Sequence, residues 1–214
     1  METRFSLIKR ILRQVYGAQP TEDSNITVEL VNKWMNDGLA LAAKENYKEA
    51  IAIDGTGYVN NSFYCTYSGL TITPDPSDNQ TYMFTLPQIP FGLGMTQGIG
   101  KLQFVNPQNY TSLDAIPLSM NQVGYVDRLP AIQNKIVYWP EGVFVRCKTP
   151  IQLFNYKATI KMVSSGDSTD LESIITLPDD YMAAVIAYVK EQLAWERQQP
   201  QDRNNDGEDD PNAT

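Results

Sequence analysis

Thr176-Leu177-Pro178-Asp179-Asp180-Tyr181-Met182-Ala183-Ala184-Val185-Ile186-Ala187-Tyr188-Val189 opens the segment on which the fold is decided. Thr176 is a good helix N-cap. Pro178 suits the first turn, where its missing N–H costs nothing, and Asp179 completes a pair resembling a capping box. Behind this start, Met182, Val185, Ile186, Val189 and Leu193 recur at helical spacing as one apolar stripe, and Tyr181, Tyr188 and Trp195 form a second. Ala183, Ala187 and Ala194 line a third, thin face. A helix that is apolar on most of its circumference is buried on several sides. The expectation is burial between subunits, since a chain of short strands has little core to offer.

Working outward, two further helices lie near the other end of the sequence. Residues 5–16 place Leu7, Ile8, Ile11, Leu12 and Val15 on one stripe and their bases on the other, and Gly17 and Pro20 end the helix. A helix this short is marginal in water, so its stripe must dock. Thr27 caps a longer helix running to about residue 50, with Glu29 in its first turn and Val31, Trp34, Met35, Leu39, Ala42 and Ala43 at helical spacing.

Between these helices the texture changes. Residues 57–163 are rich in Val, Ile, Thr, Tyr and Phe, and they read as short strands at 62–67, 81–86, 102–105, 123–126, 135–138, 142–147 and 152–162. Residues 142–147 and 157–163 read as an antiparallel pair. Prolines at 74, 76, 87, 90, 107, 117, 130, 140 and 150 argue against a regular sandwich. They suggest that much of residues 70–131 forms extended arms ordered from outside its own domain. The fold class read from this pattern is α+β. It comprises a helical body from residues 1–53 and 176–199, a β-rich insertion over 54–175, and an acidic extension over 200–214.

Composition limits the chemistry. The chain has 214 residues, no histidine and two isolated cysteines, Cys65 and Cys147. Without histidine there is no Ser-His or Cys-His nucleophile pair, and the cysteine spacing does not suit zinc. The two thiols could form one disulfide; the reading adopted is buried free thiols in a reducing compartment. No catalytic residue, cofactor or metal is expected. The start Met1-Glu2-Thr3-Arg4 does not resemble a secretory signal, and no run approaches the roughly 20 apolar residues of a membrane span. Synthesis in the cytoplasm of a host cell is the expectation.

The net charge is −8, and the segment 200–214 carries Asp202, Asp206, Glu208, Asp209 and Asp210 against Arg203, half of that total. An acidic body argues against sequence-independent DNA binding. The tail has the composition of a disordered segment. It is expected to lie along another protein, with Asp206, Glu208, Asp209 and Asp210 meeting lysines or arginines there. Asp202, Asn204, Asp206 and Gly207 match the first half of a calcium loop, but Ala213 stands where its bidentate Glu belongs. The glycine-rich run 92–101 fails as a phosphate loop, because Met95 and Leu102 occupy key positions, and it reads as a flexible loop.

Several of these pieces match in order. They are Leu86-Pro87-Gln88-Ile89-Pro90 followed by Gln97-Gly98-Ile99-Gly100, then Tyr138-Trp139-Pro140-Glu141-Gly142, then Leu177-Pro178-Asp179-Asp180-Tyr181 and a Gln/Asp/Asn-rich tail. In this order the chain resembles the head-to-tail connector (ring or adaptor) proteins of tailed bacteriophages, especially the short-tailed crAss-like type. The resemblance implies a virion protein in a dodecameric ring beneath the capsid portal, touching portal and tail proteins while DNA passes through without specific binding. It transfers no catalytic residue. Tyr181, Tyr188, Trp195 and Trp34 are the candidate interface aromatics, because large rings carrying a polar atom suit interfaces. A tail-tube or fibre-attachment protein is the nearest alternative. A carbohydrate-binding or carbohydrate-active module is a more distant one.

Overall fold

In a computed structural model the structure describes residues 2–17, 26–76, 78–94, 98–128, 130–132, 134–166 and 170–198. The first helix, α1 (Arg4–Tyr16), starts where the Thr3 hydroxyl accepts from the Ser6 N–H at 3.2 Å. It stops at Gly17, whose φ of 71° places it in the left-handed region. The second, α2 (Val28–Asp54), is capped by the Thr27 hydroxyl, which accepts from the Leu30 N–H at 3.2 Å. The last, α4 (Asp179–Gln198), begins later than the capping pattern implies. The Met182 N–H bonds the Pro178 carbonyl at 2.9 Å, so Pro178 precedes the first turn instead of lying inside it.

These helices share one core. Leu7, Ile8 and Ile11 of α1, Met35 and Leu39 of α2, and Val185, Val189 and Leu193 of α4 are all buried together. Each such side chain stabilises by roughly 1.5–3 kcal/mol. A two-residue strand pair, β1 (Glu2–Thr3) against β10 (Ile174–Ile175), ties the start of α1 to the segment that leads into α4.

The helices are not the body of the fold. An eight-stranded sheet is the larger unit. It is built from β2 (Tyr64–Thr71), β3 (Thr73–Asp75), β4 (Asp78–Thr85), β5 (Ile99–Val105), β6 (Ser112–Pro117), β7 (Ile136–Glu141), β8 (Phe144–Lys148) and β9 (Lys157–Val163). Its order is β2-β9-β5-β6-β7-β8-β4-β3, antiparallel except for the parallel pair β6–β7. The sheet curls, so β2 near one edge approaches β4 near the other. Tyr82, Phe84, Leu102, Phe104, Tyr138, Val145, Ile160 and Met162 consequently share one interior. The expected helical body carrying a β insertion is therefore corrected to a β-rich mixed fold, with the helices packed at the β2–β9 end through Phe63, Val163 and Leu93.

Three sequence expectations fail with it. Residues 70–131 are not extended arms, because β3, β4, β5 and β6 all lie within the sheet. The prolines do not prevent this, since the three that lie inside strands sit where no ladder donor is needed. Pro74 is on the edge strand β3, and Pro117 is the last residue of β6. The Tyr138 carbonyl accepts from the Leu118 N–H at 2.8 Å. Pro140, two residues on, therefore turns its missing donor the same way, past the end of β6. Residues 142–147 and 157–163 do not pair either: β8 lies between β7 and β4, and β9 between β2 and β5. Gly142, with φ of 61°, begins a two-residue turn that closes β7 onto β8 instead. The strand read at 123–126 is α3 (Met120–Val123) and a short 3₁₀ turn (Val126–Arg128). That excursion lays Leu118, Val126 and Ile132 over Val137, so β7 is covered on both faces.

The glycine-rich segment is a joint. Phe91 donates its N–H to the Val163 carbonyl at 2.9 Å, and Gly98 accepts from the Val163 N–H at 2.8 Å. A Cβ on Gly94 would stand 2.5 Å from the Tyr47 hydroxyl of α2, and one on Gly57 would strike the same side chain. The absent side chains let helix and sheet close on each other here.

Candidate interaction surface

The two long helices meet at Gly38. A Cβ there would lie 3.3 Å from both Val185 and Tyr188, so the missing side chain lets α4 approach α2 closely. Where the helices diverge on the outer side, a groove of about 340 Å³ opens. Gly38, Leu41, Ala42, Ala184, Ala187 and Tyr188 line it, with Glu45 and Glu191 at its rim. Leu41 is 49 % exposed, and Ala183, Ala184, Ala187 and Ala194 are exposed. Seven residues past Tyr188, on the same side of α4, Trp195 is 63 % exposed. The surface is thus apolar and small-sided with carboxylates at its rim, a composition suited to packing against another surface.

The sequence candidates part company here. Tyr188 lines the groove and Trp195 extends its face. Trp34 is half-buried against the helical core. Tyr181 is engaged within the chain. Its hydroxyl accepts from Asn46 Nδ2 and donates to Glu49 Oε2, each at 2.7 Å, while its ring meets Phe63 edge-on at 5.3 Å. The carboxylate acceptor holds the Tyr181 phenol above its ordinary pKa. Asp206, Glu208, Asp209 and Asp210 lie outside the described residues, as does the calcium pattern.

Burial of α4 on most sides is not what its own chain provides. The stripe of Val185, Val189 and Leu193 is buried, whereas the alanine face and Trp195 are open to solvent. Sequence reasoning overlooked Leu41, three residues after Gly38 and so beside it on α2. It also overlooked Ile51 and Ile53, exposed near the end of the same helix. A second apolar row of Leu30, Trp34 and Leu41 alongside the main stripe was the available signal.

Elsewhere, two arginines hold the fold together. Arg4 is buried, and donates to Asn32 Oδ1 at 2.8 Å, to Asn36 Oδ1 at 2.6 Å and to the Ser165 carbonyl. Arg146 bridges the buried Asp75 at 3.1 Å and the exposed Glu141 at 2.9 Å. Cys65 and Cys147 are free thiols, the first half-exposed and the second buried. Among the described residues no group of three or more His, Cys, Asp or Glu is placed to hold a metal, and no helix is long and apolar enough to cross a membrane. No known family model matches this chain, and neither does any curated protein.

Proposed function

We propose that this chain is a structural protein of a tailed phage virion, which assembles with copies of itself into a ring joining the capsid portal to the tail. The observation that carries the reading is the outer face of α2 and α4, where Leu41, four alanines and a 63 % exposed tryptophan stand in solvent beside the half-buried Tyr188. Monomers seldom leave a continuous apolar face uncovered, and aromatic residues are enriched where proteins meet. The net charge of −8 supports a conduit that does not retain the DNA it passes. The ordered series of Leu-Pro, Gly-Ile-Gly and Tyr-Trp-Pro segments adds the resemblance to connector proteins. Portal and neighbouring tail proteins are the partners in this reading, and DNA passes through without specific binding.

A second reading within the same virion class, a tail-tube or fibre-attachment protein, is favoured by the curled eight-stranded sheet. The two readings separate by partner. Mass photometry of the purified chain alone, with portal protein and with tail-tube protein should give a ring that binds portal. A chain that polymerises into open tubes without portal would replace the first reading by the second, and a chain that stays monomeric in all three mixtures would remove both.

A further inference from the structure

We propose that the acidic segment 200–214 folds back onto the basic, concave face of α1 in the same chain. Because α1 turns Leu7, Ile8, Ile11 and Leu12 into the core, its other side presents Ser6, Lys9, Arg10, Arg13 and Gln14. With Glu2 these residues line a concavity of about 470 Å³. Arg10 pairs with Glu2 at 3.1 Å, and the Lys9 ammonium lies 4.1 Å from the centre of the Phe5 ring. Arg13 is exposed and makes no ion pair among the described residues. Three cations against one carboxylate thus gather on one small surface of a chain whose net charge is −8. The segment after α4 carries five carboxylates against one arginine. The two charge patterns are complementary.

Reach permits the contact. The pairing of Thr3 with Ile174 places the start of α1 beside the lead-in to α4. The twenty residues of α4 carry the chain about 30 Å away from that point at 1.5 Å per residue. Asp206 to Asp210 follow Gln198 by enough extended chain, about 3.3 Å per residue, to cover roughly 25–40 Å on the way back. A tethered segment acts at an effective concentration in the millimolar range, so its own α1 outcompetes that of a second copy at micromolar protein. Fixing every residue of the segment would cost more conformational entropy than exposed ion pairs return. The contact is therefore carried by charge. That makes it salt-sensitive.

This inference does not depend on the connector reading, and its test leaves that reading untouched. Full-length ¹⁴N- and ¹⁵N-labelled chains are mixed in denaturant, refolded together and treated with a zero-length carbodiimide, and the amide-linked peptides are analysed by mass spectrometry. Expected are links from Lys9 to Asp206, Glu208, Asp209 or Asp210 within one isotope, whether the chain is monomeric or a ring. They should fall at least several-fold in 1 M salt, where the screening length is about 3 Å. They should fall similarly in Arg10→Glu/Arg13→Glu. Isotope-hybrid links would move the segment to a neighbouring copy and overturn the proposal. So would links spread evenly over the other lysines, or a Lys9 link indifferent to salt and to charge reversal.

Discussion

Cys147 and Tyr138 stand opposite each other on β8 and β7, and both are closed off from water. Burial pushes the Cys147 thiol far above its ordinary pKa, so it remains a thiol at neutral pH. Iodoacetamide should label the half-exposed Cys65 in the native protein and reach Cys147 only at the rate of unfolding. Equal labelling of both thiols would contradict the packing of this core. The phenols give a pH dependence whose sign follows directly. Burial, and secondarily Cys147, raises Tyr138, while the bond to Glu49 raises Tyr181. Above the ordinary phenol pKa of about 10 the unfolded chain ionises while the native phenols keep their protons, so stability falls as pH rises. The urea midpoint should hold steady from pH 7 to about 8, begin to decline as the Cys147 thiol ionises in the unfolded chain, and fall further beyond about pH 10 as the phenols follow. Tyr181→Phe should remove its share of that decline, at a cost of about 1 kcal/mol near neutrality. A midpoint that stays level to pH 11.5 would exclude this.

Helix α4 holds the contrast that separates folding from association. Leu193 is fully buried in the helical core, whereas Trp195 two residues on is mostly in solvent. Leu193→Ala should destabilise the folded chain by about 2–5 kcal/mol, because it leaves a cavity. Trp195→Ala should change the denaturation midpoint of the isolated chain by less than about 0.5 kcal/mol and act on association instead. Arg146 ties three strands together, since it pairs with Asp75 of β3 and Glu141 of β7 from its place on β8. Arg146→Ala should cost about 2–4 kcal/mol, as it takes a cation from a buried carboxylate. Glu141→Ala, at the exposed end, should cost under about 1 kcal/mol. Chemical denaturation of the four variants would order them, and equal losses for Arg146→Ala and Glu141→Ala would refute the burial argument.

The limits of sequence reading also belong to the elements. The apolar stripes and caps of α1 and α2 are local, acting over four residues, and they could be read directly. The strand pairings are not local. Alternation over Ala158, Ile160 and Met162 identifies a half-buried strand, but not that its neighbours are β2 and β5. Two local signals were nonetheless present. Glu141-Gly142-Val143-Phe144 is a two-residue hairpin turn with glycine first. Ser119-x-x-Gln122 is a helix start, in which Gln122 Oε1 accepts from the Ser119 N–H at 3.2 Å. The prolines misled because composition counts them without saying which way each missing donor faces. Of the interface aromatics, only Trp195 and Tyr188 are available at the surface where the groove lies. Nothing local in the sequence distinguishes them from Tyr181, whose partners lie more than a hundred residues away.

At the scale of the molecule, a curled sheet and a three-helix cluster are joined where Tyr47 meets Gly57 and Gly94. The apolar face of α2 and α4 is turned outward at that helical end. A flat face on one copy that meets a different surface on the next generates a closed ring when the rotation closes, and an open filament when it does not. The most direct test of an assembling ring is native mass spectrometry of the full chain with and without portal protein, run beside a Leu41→Glu/Trp195→Glu variant. The proposed function predicts a single closed multiple of 24.1 kDa that binds portal, and a folded variant that remains monomeric. A monomeric parent chain in both mixtures, or a variant that assembles as the parent does, would contradict it.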